Sequence, residues 1–131
     1  RFLKEAERLT MSIPGCVIVS GDTPKKERER ILEMFKVGEI PVVANVGVLT
    51  TGFDYPELDT VVMARPTMSL AMYYQIVGRC IRPYKGKTAW FVDLCGNINR
   101  FGEVSDLHLK DTGNGKWAVF SKGRQLTNVR F

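Results

Sequence analysis

Short β-branched runs alternate with helical segments up to residue 94, and this alternation is the feature that most limits the fold of the chain. Strands and helices in this order form βαβ units, in which right-handed crossovers join the strands of a parallel sheet. The chain is therefore predicted to be an α/β protein whose mainly parallel sheet is flanked by helices. The predicted strands are 16–20, 41–46, 59–64 and 88–94, and the predicted helices are 2–11, 25–37 and 70–82.

The first three predicted strands are continuous apolar runs, which is typical of strands that are buried on both faces. The helices carry start and stop signals. Asp22 or Thr23 can cap the helix that follows the first strand, and Thr67 or Ser69 can cap the helix that follows the third. Pro83 is expected to end that later helix at position 82.

The composition excludes several classes of protein. With 131 residues, 44% hydrophobic and 25% charged, the chain is expected to be globular, and its apolar runs are too short to span a bilayer. Three well-separated cysteines and a single histidine, His108, argue against a disulfide framework, a zinc site and a His-based triad. We therefore expect no metal site, no membrane partner and a reducing, cytoplasmic location.

The pattern changes after Gly96. Residues 106–120 alternate like a strand pair, and Gly113-Asn114-Gly115 is typical of a hairpin tip. We interpret 97–131 as a C-terminal extension with a β-hairpin that packs on an α/β domain formed by 1–96.

The segment YYQIVGRCIRP contains the strongest candidate site. On a helix, Gln75, Arg79 and Arg82 fall within about 60° of one another, and Gly78 adds no side chain beside them. Two guanidiniums on one face repel each other, so a bound anion such as phosphate is an attractive explanation. The alternative is a helix with solvated arginines.

The loop after the second predicted strand is a second candidate. Its glycines permit close approach of the backbone, and a carboxylate there can accept a hydrogen bond from a ribose hydroxyl. The alternative is an ordinary turn with a local bond at the aspartate. The residues concerned are Gly47, Thr50, Thr51, Gly52 and Asp54.

Two further segments have a simpler alternative interpretation. Gly21 and the helix start after it could bind a phosphate through backbone N–H groups, but the charged run 25–30 is also typical of a solvated helix face. The KGKT sequence resembles the end of a P-loop, but Ile81 stands where that motif requires glycine. We interpret it as a turn that exposes Lys85 and Lys87.

In this order, segments 20–35, 43–56 and 75–83 resemble the second RecA-like domain of superfamily 2 helicases, over about residues 1–95. ARPTMSLAMYYQIVGRCIRP is most similar to RadD-type DNA-repair helicases and restriction translocases. DEAD-box RNA helicases usually carry histidine at the position of Gln75. The resemblance thus implies a RecA-like fold and nucleic acid as partner, and it favours DNA.

The resemblance also implies roles for the residues of motif VI. Arg79 and Arg82 match the two arginines that reach the γ-phosphate of ATP bound by the other RecA-like domain, and Arg82 would be the main arginine finger. Gln75 matches the residue that helps to link the two domains. Gly78 would lie with these residues at the ATP site.

Motif V and the strand ends supply the remaining implied roles. Gly52 and Asp54 match motif V, in which the aspartate approaches the nucleotide ribose. The family commonly has Thr-Asp where this chain has Val46 and Gly47, so the threonine hydroxyl that contacts a nucleic-acid phosphate is missing here. Asn45, Thr50 or backbone N–H groups would have to replace that contact. The nucleic-acid contacts implied here are Gly21, Asp22, Asn45, Gly47, Thr50 and Thr51.

The chain contains neither a Walker A lysine nor a DEAH-type acidic pair. The resemblance therefore implies that a separate N-terminal RecA-like domain completes the ATP site and holds Mg²⁺, and that this chain alone is inactive. The domain's usual first strand is also expected to be missing. Alternatives are a non-catalytic nucleic-acid-binding module of RecA-like fold, with Trp117 and Phe120 as a stacking platform, and a degenerate domain for protein contacts.

The net charge of +5 is distributed unevenly. Residues 1–66 contain nine basic and ten acidic residues, whereas residues 67–131 contain ten basic and four acidic residues. A basic half suggests a polyanionic partner, either nucleic acid or nucleotide phosphates. The alternative is a solvated basic face, and two of the ten, Arg79 and Arg82, are assigned to ATP.

Overall fold

The structure, a computed structural model, describes residues 2–49 and 53–127. The chain divides between Tyr55 and Pro56 into two compact units. Each unit contains a pair of parallel strands, and the second unit also contains an antiparallel sheet. These features confirm the predicted α/β class with a C-terminal hairpin. Within the described ranges, no helix is long and apolar enough to cross a membrane.

The first unit is built around two parallel strands that run in register. Cys16 pairs with Val42 at one end, and Ser20 pairs with Val46 at the other. Val19 is buried between the strands and the second helix, where it packs with other apolar side chains of the unit. The elements are α1 (Phe2–Ser12), β1 (Cys16–Ser20), α2 (Lys25–Lys36) and β2 (Val42–Val46).

The start of α2 differs from the prediction. Pro24, and not Asp22 or Thr23, occupies the position before the first helical residue, and no side chain caps the helix. The Thr23 hydroxyl instead accepts a hydrogen bond from the backbone N–H of Ser20 at 3.0 Å. The Thr23 hydroxyl, one of the two predicted caps of α2, therefore stabilises the turn between β1 and α2 instead.

The second unit begins with another parallel pair, in which Thr60 pairs with Trp90 and Met63 with Asp93. The helix between these strands starts as predicted, because Ser69 caps it by accepting from the Met72 backbone N–H at 3.2 Å. The elements are β3 (Thr60–Met63), α3 (Leu70–Val77), β4 (Trp90–Asp93) and α4 (Asn97–Phe101).

α3 ends at Val77, five residues before the predicted end at Arg82. Gly78 follows, and the next two backbone hydrogen bonds join residues three apart, as in a 3₁₀ turn. They run from Arg79 N to Ile76 O and from Cys80 N to Val77 O, both at 3.1 Å. Glycine is a poor helix former, and a proline disfavours helical geometry in the residue before it. The helix therefore ends early and continues as a series of turns.

The hairpin after Gly96 is confirmed, with its tip at the predicted residues. Asn114 and Gly115 both have positive φ, at 54° and 70°, as a type I′ turn requires. A third strand, which was not predicted, pairs with the second strand of the hairpin. The elements are a 3₁₀ turn (Val104–Asp106), β5 (Leu107–Gly113), β6 (Lys116–Ser121) and β7 (Arg124–Gln125).

The core of the second unit joins the parallel strand pair to the segment after Gly96. Met63, Tyr73, Val77 and Phe101 are its buried members. Ile98, Val104 and Leu126 pack against them as half-buried side chains. Residues after position 96 thus contribute to the core that holds α3.

Two predictions about exposure are wrong. Val62, in the third predicted strand, lies on the open face of the β3–β4 pair and is exposed, because adjacent strand residues point to opposite faces and the core packs on one of them. Lys87 is half-buried, and its Nζ donates to the carbonyls of Pro56 at 2.8 Å and Leu58 at 3.1 Å. A long lysine stem can reach such carbonyls from a turn.

Candidate functional site

The structure brings together the four residues expected from motif VI. Gln75, Gly78, Arg79 and Arg82 line one open cavity of about 200 Å³, together with Tyr74. We call this the arginine cavity. Its lining residues include two arginines and a glutamine, whose side chains contain hydrogen-bond donors suited to the oxygens of a phosphate.

The arginine cavity forms even though α3 ends before its last residues. Cys80 lies between Arg79 and Arg82 in the sequence and is completely buried. Its Sγ lies 3.4 Å from the Val77 carbonyl oxygen. Burial raises the pKa of the Cys80 thiol. Cys80 therefore acts as a neutral anchor that faces inward, while Arg79 and Arg82 line the cavity on the outside.

Gly78 lines the arginine cavity without adding a side chain to it. A Cβ at this position would lie 3.1 Å from the Tyr74 carbonyl oxygen, which is closer than ordinary contact. Tyr74 itself is 56% exposed and was not predicted as part of the site. Its position four residues before Gly78 is the sequence signal that could have identified it, because such residues are neighbours on a helix.

The first unit groups several of the predicted nucleic-acid residues at one edge of its sheet. Because Ser20 pairs with Val46, Gly21 and Asp22 leave β1 at the same edge at which Gly47 leaves β2. Gly21, Asp22 and Gly47 are all exposed. Carboxyl ends of parallel strands are the usual ligand-binding edge of such sheets.

Asn45 has a local role in the loop after β2. Its Oδ1 accepts hydrogen bonds from the backbone N–H groups of Val48 and Leu49, both at 3.0 Å. These two bonds make Asn45 the residue that closes the turn after β2. Thr50, Thr51 and Gly52 lie outside the described residues.

Asp54 is exposed and lines a second cavity, of about 370 Å³, in the first unit. This cavity includes Arg28, whose guanidinium donates to the Thr23 carbonyl at 3.2 Å and which was not predicted as a site residue. The charged run at the start of α2 forms the exposed pairs Lys25–Glu29 and Glu27–Arg30. The cavity is lined by Arg28, Glu29, Leu32, Glu33, Lys36, Val48, Leu49, Phe53 and Asp54.

The charged pair Glu27–Arg30 illustrates how this helix face is solvated. The Arg30 guanidinium hydrogen bonds to the Glu27 carboxylate and lowers its pKa, although both side chains are exposed. The start of α2 therefore supports the solvated interpretation of the charged run.

Within residues 2–49 and 53–127, no group of three or more histidine, cysteine or acidic side chains is placed to hold a metal ion.

Comparisons with known proteins agree with the motifs. Residues 2–84 match the family of the helicase conserved C-terminal domain. A 51.5 kDa protein of Lactococcus phage (isolate 7-9) is 36% identical over 104 residues, which cover 78% of this chain and 23% of that protein. IRC3 of Saccharomyces cerevisiae is 39% identical over 87 residues, covering 66% of this chain and 12% of that protein.

The ATP-dependent RNA helicase DBP3 of Gibberella zeae is 33% identical over 91 residues, which are 66% of this chain and 15% of that protein. The chain thus spans less than a quarter of the length of these relatives. Among solved structures, the C-terminal domain of the DEAD-box protein Dbp5 matches with a TM-score of 0.55 and 25% identity, covering 66% of this chain and 51% of that one. The chain has the RecA-like α/β fold and belongs to the helicase conserved C-terminal domain family of superfamily 2 helicases.

Proposed function

We propose that this chain is the C-terminal motor domain of an ATP-dependent helicase or translocase. A separate N-terminal RecA-like domain would bind ATP, and Arg79 and Arg82 would contact its γ-phosphate, with Arg82 as the main arginine finger. The observation that carries this proposal is the arginine cavity, where Gln75, Gly78 and both arginines meet. The family assignment and the name of the relative DBP3 support it.

The chemistry of the arginine cavity fits this role. Hydrolysis transfers the γ-phosphoryl group to water, and negative charge on its oxygens must be stabilised in the transition state. A guanidinium is permanently charged and forms paired hydrogen bonds with such oxygens. Arg82 would supply this contact, Arg79 would support it, and Gln75 would help to join the two domains. The Mg²⁺ ligands would lie on the N-terminal domain.

The edge of the β1–β2 sheet is the proposed contact with nucleic acid. Gly21 and Asp22 follow one strand and Gly47 follows the other, so their exposed backbone can approach phosphates. Asn45 would shape this edge through its bonds to the loop. Thr50 and Thr51 would contribute hydroxyls, and Gly52 and Asp54 would serve the nucleotide ribose.

DNA is the proposed substrate, and a RadD-type helicase or restriction translocase is the proposed subgroup. The support is the sequence around Gln75, where DEAD-box RNA helicases usually carry histidine. The proposed domain boundary lies between 96 and 97, with the antiparallel sheet inside the extension. A cytoplasmic location is proposed because all three cysteines are free.

The proposal is tested by ATP hydrolysis of the intact protein that carries this chain. Arg82→Ala is expected to lower the steady-state rate by ~10³-fold or more, while binding of ATP stays within a few-fold of wild type. Lys85→Ala, an exposed cation three residues away, is the matched control and should leave turnover unchanged. Unchanged turnover in the Arg82→Ala protein would overturn the arginine-finger assignment.

A non-catalytic nucleic-acid-binding module is the second candidate, favoured by one observation. Trp117 is 42% exposed on the hairpin beside the exposed Lys116, and such a pair can stack on a base and contact a phosphate. If this candidate is correct, replacing both residues with alanine abolishes salt-dependent binding of nucleic acid. Unchanged affinity excludes the hairpin as the binding surface.

A further inference from the structure

A buried polar network joins the end of β4 to the loop that leads into α3. Its centre is Asn97, which is 0% exposed and uses every hydrogen-bonding position of its carboxamide. Oδ1 accepts from the Thr67 backbone N–H at 2.9 Å and from the Arg100 guanidinium at 3.2 Å. Nδ2 donates to the Arg65 carbonyl at 3.0 Å and to the Asp93 carboxylate at 2.9 Å.

Asp93 holds Asn97 in place from the strand side. It is the last residue of β4, and its carboxylate accepts from the backbone N–H groups of Cys95 at 3.2 Å and Ile98 at 2.8 Å. The turn from β4 into α4 is thereby fixed by one side chain. Asn97 consequently has a defined orientation as the first residue of α4.

The same network reaches the first turn of α3. Thr67 is held at its backbone N–H by Asn97 and at its carbonyl by Arg100, whose guanidinium donates at 3.1 Å. The Thr67 hydroxyl accepts from the Ser69 backbone N–H at 3.0 Å, and the Ser69 hydroxyl accepts from the Met72 backbone N–H. A continuous series of hydrogen bonds therefore runs from β4 to the N-terminus of α3.

α4 is also attached to α3 itself, one turn beyond the Ser69 cap. Phe101, at the end of α4, stacks on the ring of Tyr73 with centroids 5.2 Å apart, and the Gly102 carbonyl accepts from the Tyr73 hydroxyl. Two separated attachments fix the direction of a helix, whereas one would leave it free to pivot. Residues 75–82, which line most of the arginine cavity, follow this doubly attached segment.

We propose that Asn97 is a positioning residue that sets the direction of α3 and thereby the placement of Arg79 and Arg82 at the ATP site. This inference rests on the proposed function, because the arginines need precise placement only if they serve a reaction. A misplaced guanidinium loses more in the transition state than in the ground state, so turnover suffers while nucleotide binding does not.

The test measures ATP hydrolysis by the intact protein at saturating nucleic acid. Asn97→Ala is expected to lower kcat by ~10-fold or more, with KM for ATP within about 2-fold of wild type. Asn99→Ala replaces the same residue type on the exposed side of α4 and should leave both constants unchanged. A melting temperature measured alongside verifies that the assay temperature lies well below unfolding.

Arg100→Ala is the second variant, because it removes only the edge of the network and should fold even if Asn97→Ala does not. It is expected to lower kcat by about 3-fold or more at constant KM. If Asn97→Ala folds and retains full kcat, the positioning role is overturned. If Asn97→Ala does not fold, full kcat in Arg100→Ala overturns it. Arg82→Ala is assayed in parallel, since unchanged turnover in that variant overturns the proposed function itself, whatever Asn97→Ala does.

Discussion

The hydroxyl of Tyr73 donates a hydrogen bond to the carbonyl of Gly102 at 2.9 Å, which ties the middle of α3 to the end of α4. Tyr73 is almost completely buried, and its ring also meets Phe91 edge-on at 6.0 Å. Burial raises the pKa of the Tyr73 hydroxyl, as do the charges of Asp93 and Glu103. The hydroxyl is thus a neutral donor at physiological pH.

Replacing Tyr73 with phenylalanine tests this contact. The aromatic packing remains and only the hydrogen bond is lost, so the free energy of unfolding should fall by about 1 to 2 kcal/mol. Urea unfolding measures this change. Tyr74→Phe is the matched control, because Tyr74 is exposed, and it should stay within about 0.5 kcal/mol of wild type. Equal effects in the two variants would mean that the Gly102 contact contributes nothing.

Gly102 is predicted to tolerate no side chain. Its φ is +86°, and a Cβ there would overlap the Ser121 hydroxyl oxygen and lie 3.0 Å from the Ser121 Cβ. Gly102→Ala should therefore destabilise the chain by about 3 kcal/mol or more, through overpacking and backbone strain together. Gly123→Ala carries a similar φ of +80° with open space around the new methyl group, and should cost only about 1 to 2 kcal/mol.

The comparison of these two glycines separates close approach from conformation. If close approach to Ser121 is the cause, a second change, Ser121→Gly, should restore part of the stability that Gly102→Ala removes. Melting temperatures of the single and double variants provide the measurement. Equal losses for Gly102→Ala and Gly123→Ala would show that only the positive φ matters.

Asp93 is predicted to make stability depend on pH in the acidic range. Burial alone would raise its pKa, but hydrogen bonds from the Ile98 backbone and the Asn97 carboxamide lower it below the ordinary 3.8. A carboxyl group with a lowered folded-state pKa stabilises the fold above its unfolded-state pKa, and this contribution disappears as pH falls through the folded value.

The wild-type protein should therefore exceed Asp93→Asn in stability above about pH 5, with the difference shrinking below about pH 3.8. Urea unfolding across this range measures the difference. Glu39→Gln, which replaces an exposed carboxylate in the first unit, is the control and should stay within about 0.5 kcal/mol of wild type. A difference between wild type and Asp93→Asn that stays constant with pH would contradict the assignment.

Local sequence patterns were sufficient to predict most secondary structure. The strand before Gly21 and the hairpin tip at Asn114 are encoded in runs of a few residues. The end of α3 is the exception, because Gly78 ends the helix before the proline that the sequence pattern indicates as its limit. The third strand of the antiparallel sheet is two residues long, Arg124–Gln125, too short to leave a periodic signal.

The arginine cavity was predictable for a similar reason. Gln75, Arg79 and Arg82 are close in the chain, so even a helix that ends early leaves them on one side. The network around Asn97 joins residues 30 positions apart, from Thr67 to Asn97, and depends on how β3 and β4 pair. No local pattern carries that information. The only local indication of a polar network is that Asp93 and Asn97 lie four positions apart at the end of a predicted strand.

The most direct test of the central claim is the single-turnover rate of bound ATP, because it measures the chemical step without product release. In the intact protein, Arg82→Ala should lower this rate by ~10³-fold or more while the amount of ATP bound is unchanged. Arg82→Lys, which keeps the charge but loses the forked donor geometry, should also be strongly impaired. A single-turnover rate equal to wild type in the Arg82→Ala protein would contradict the assignment of the arginine cavity to ATP hydrolysis.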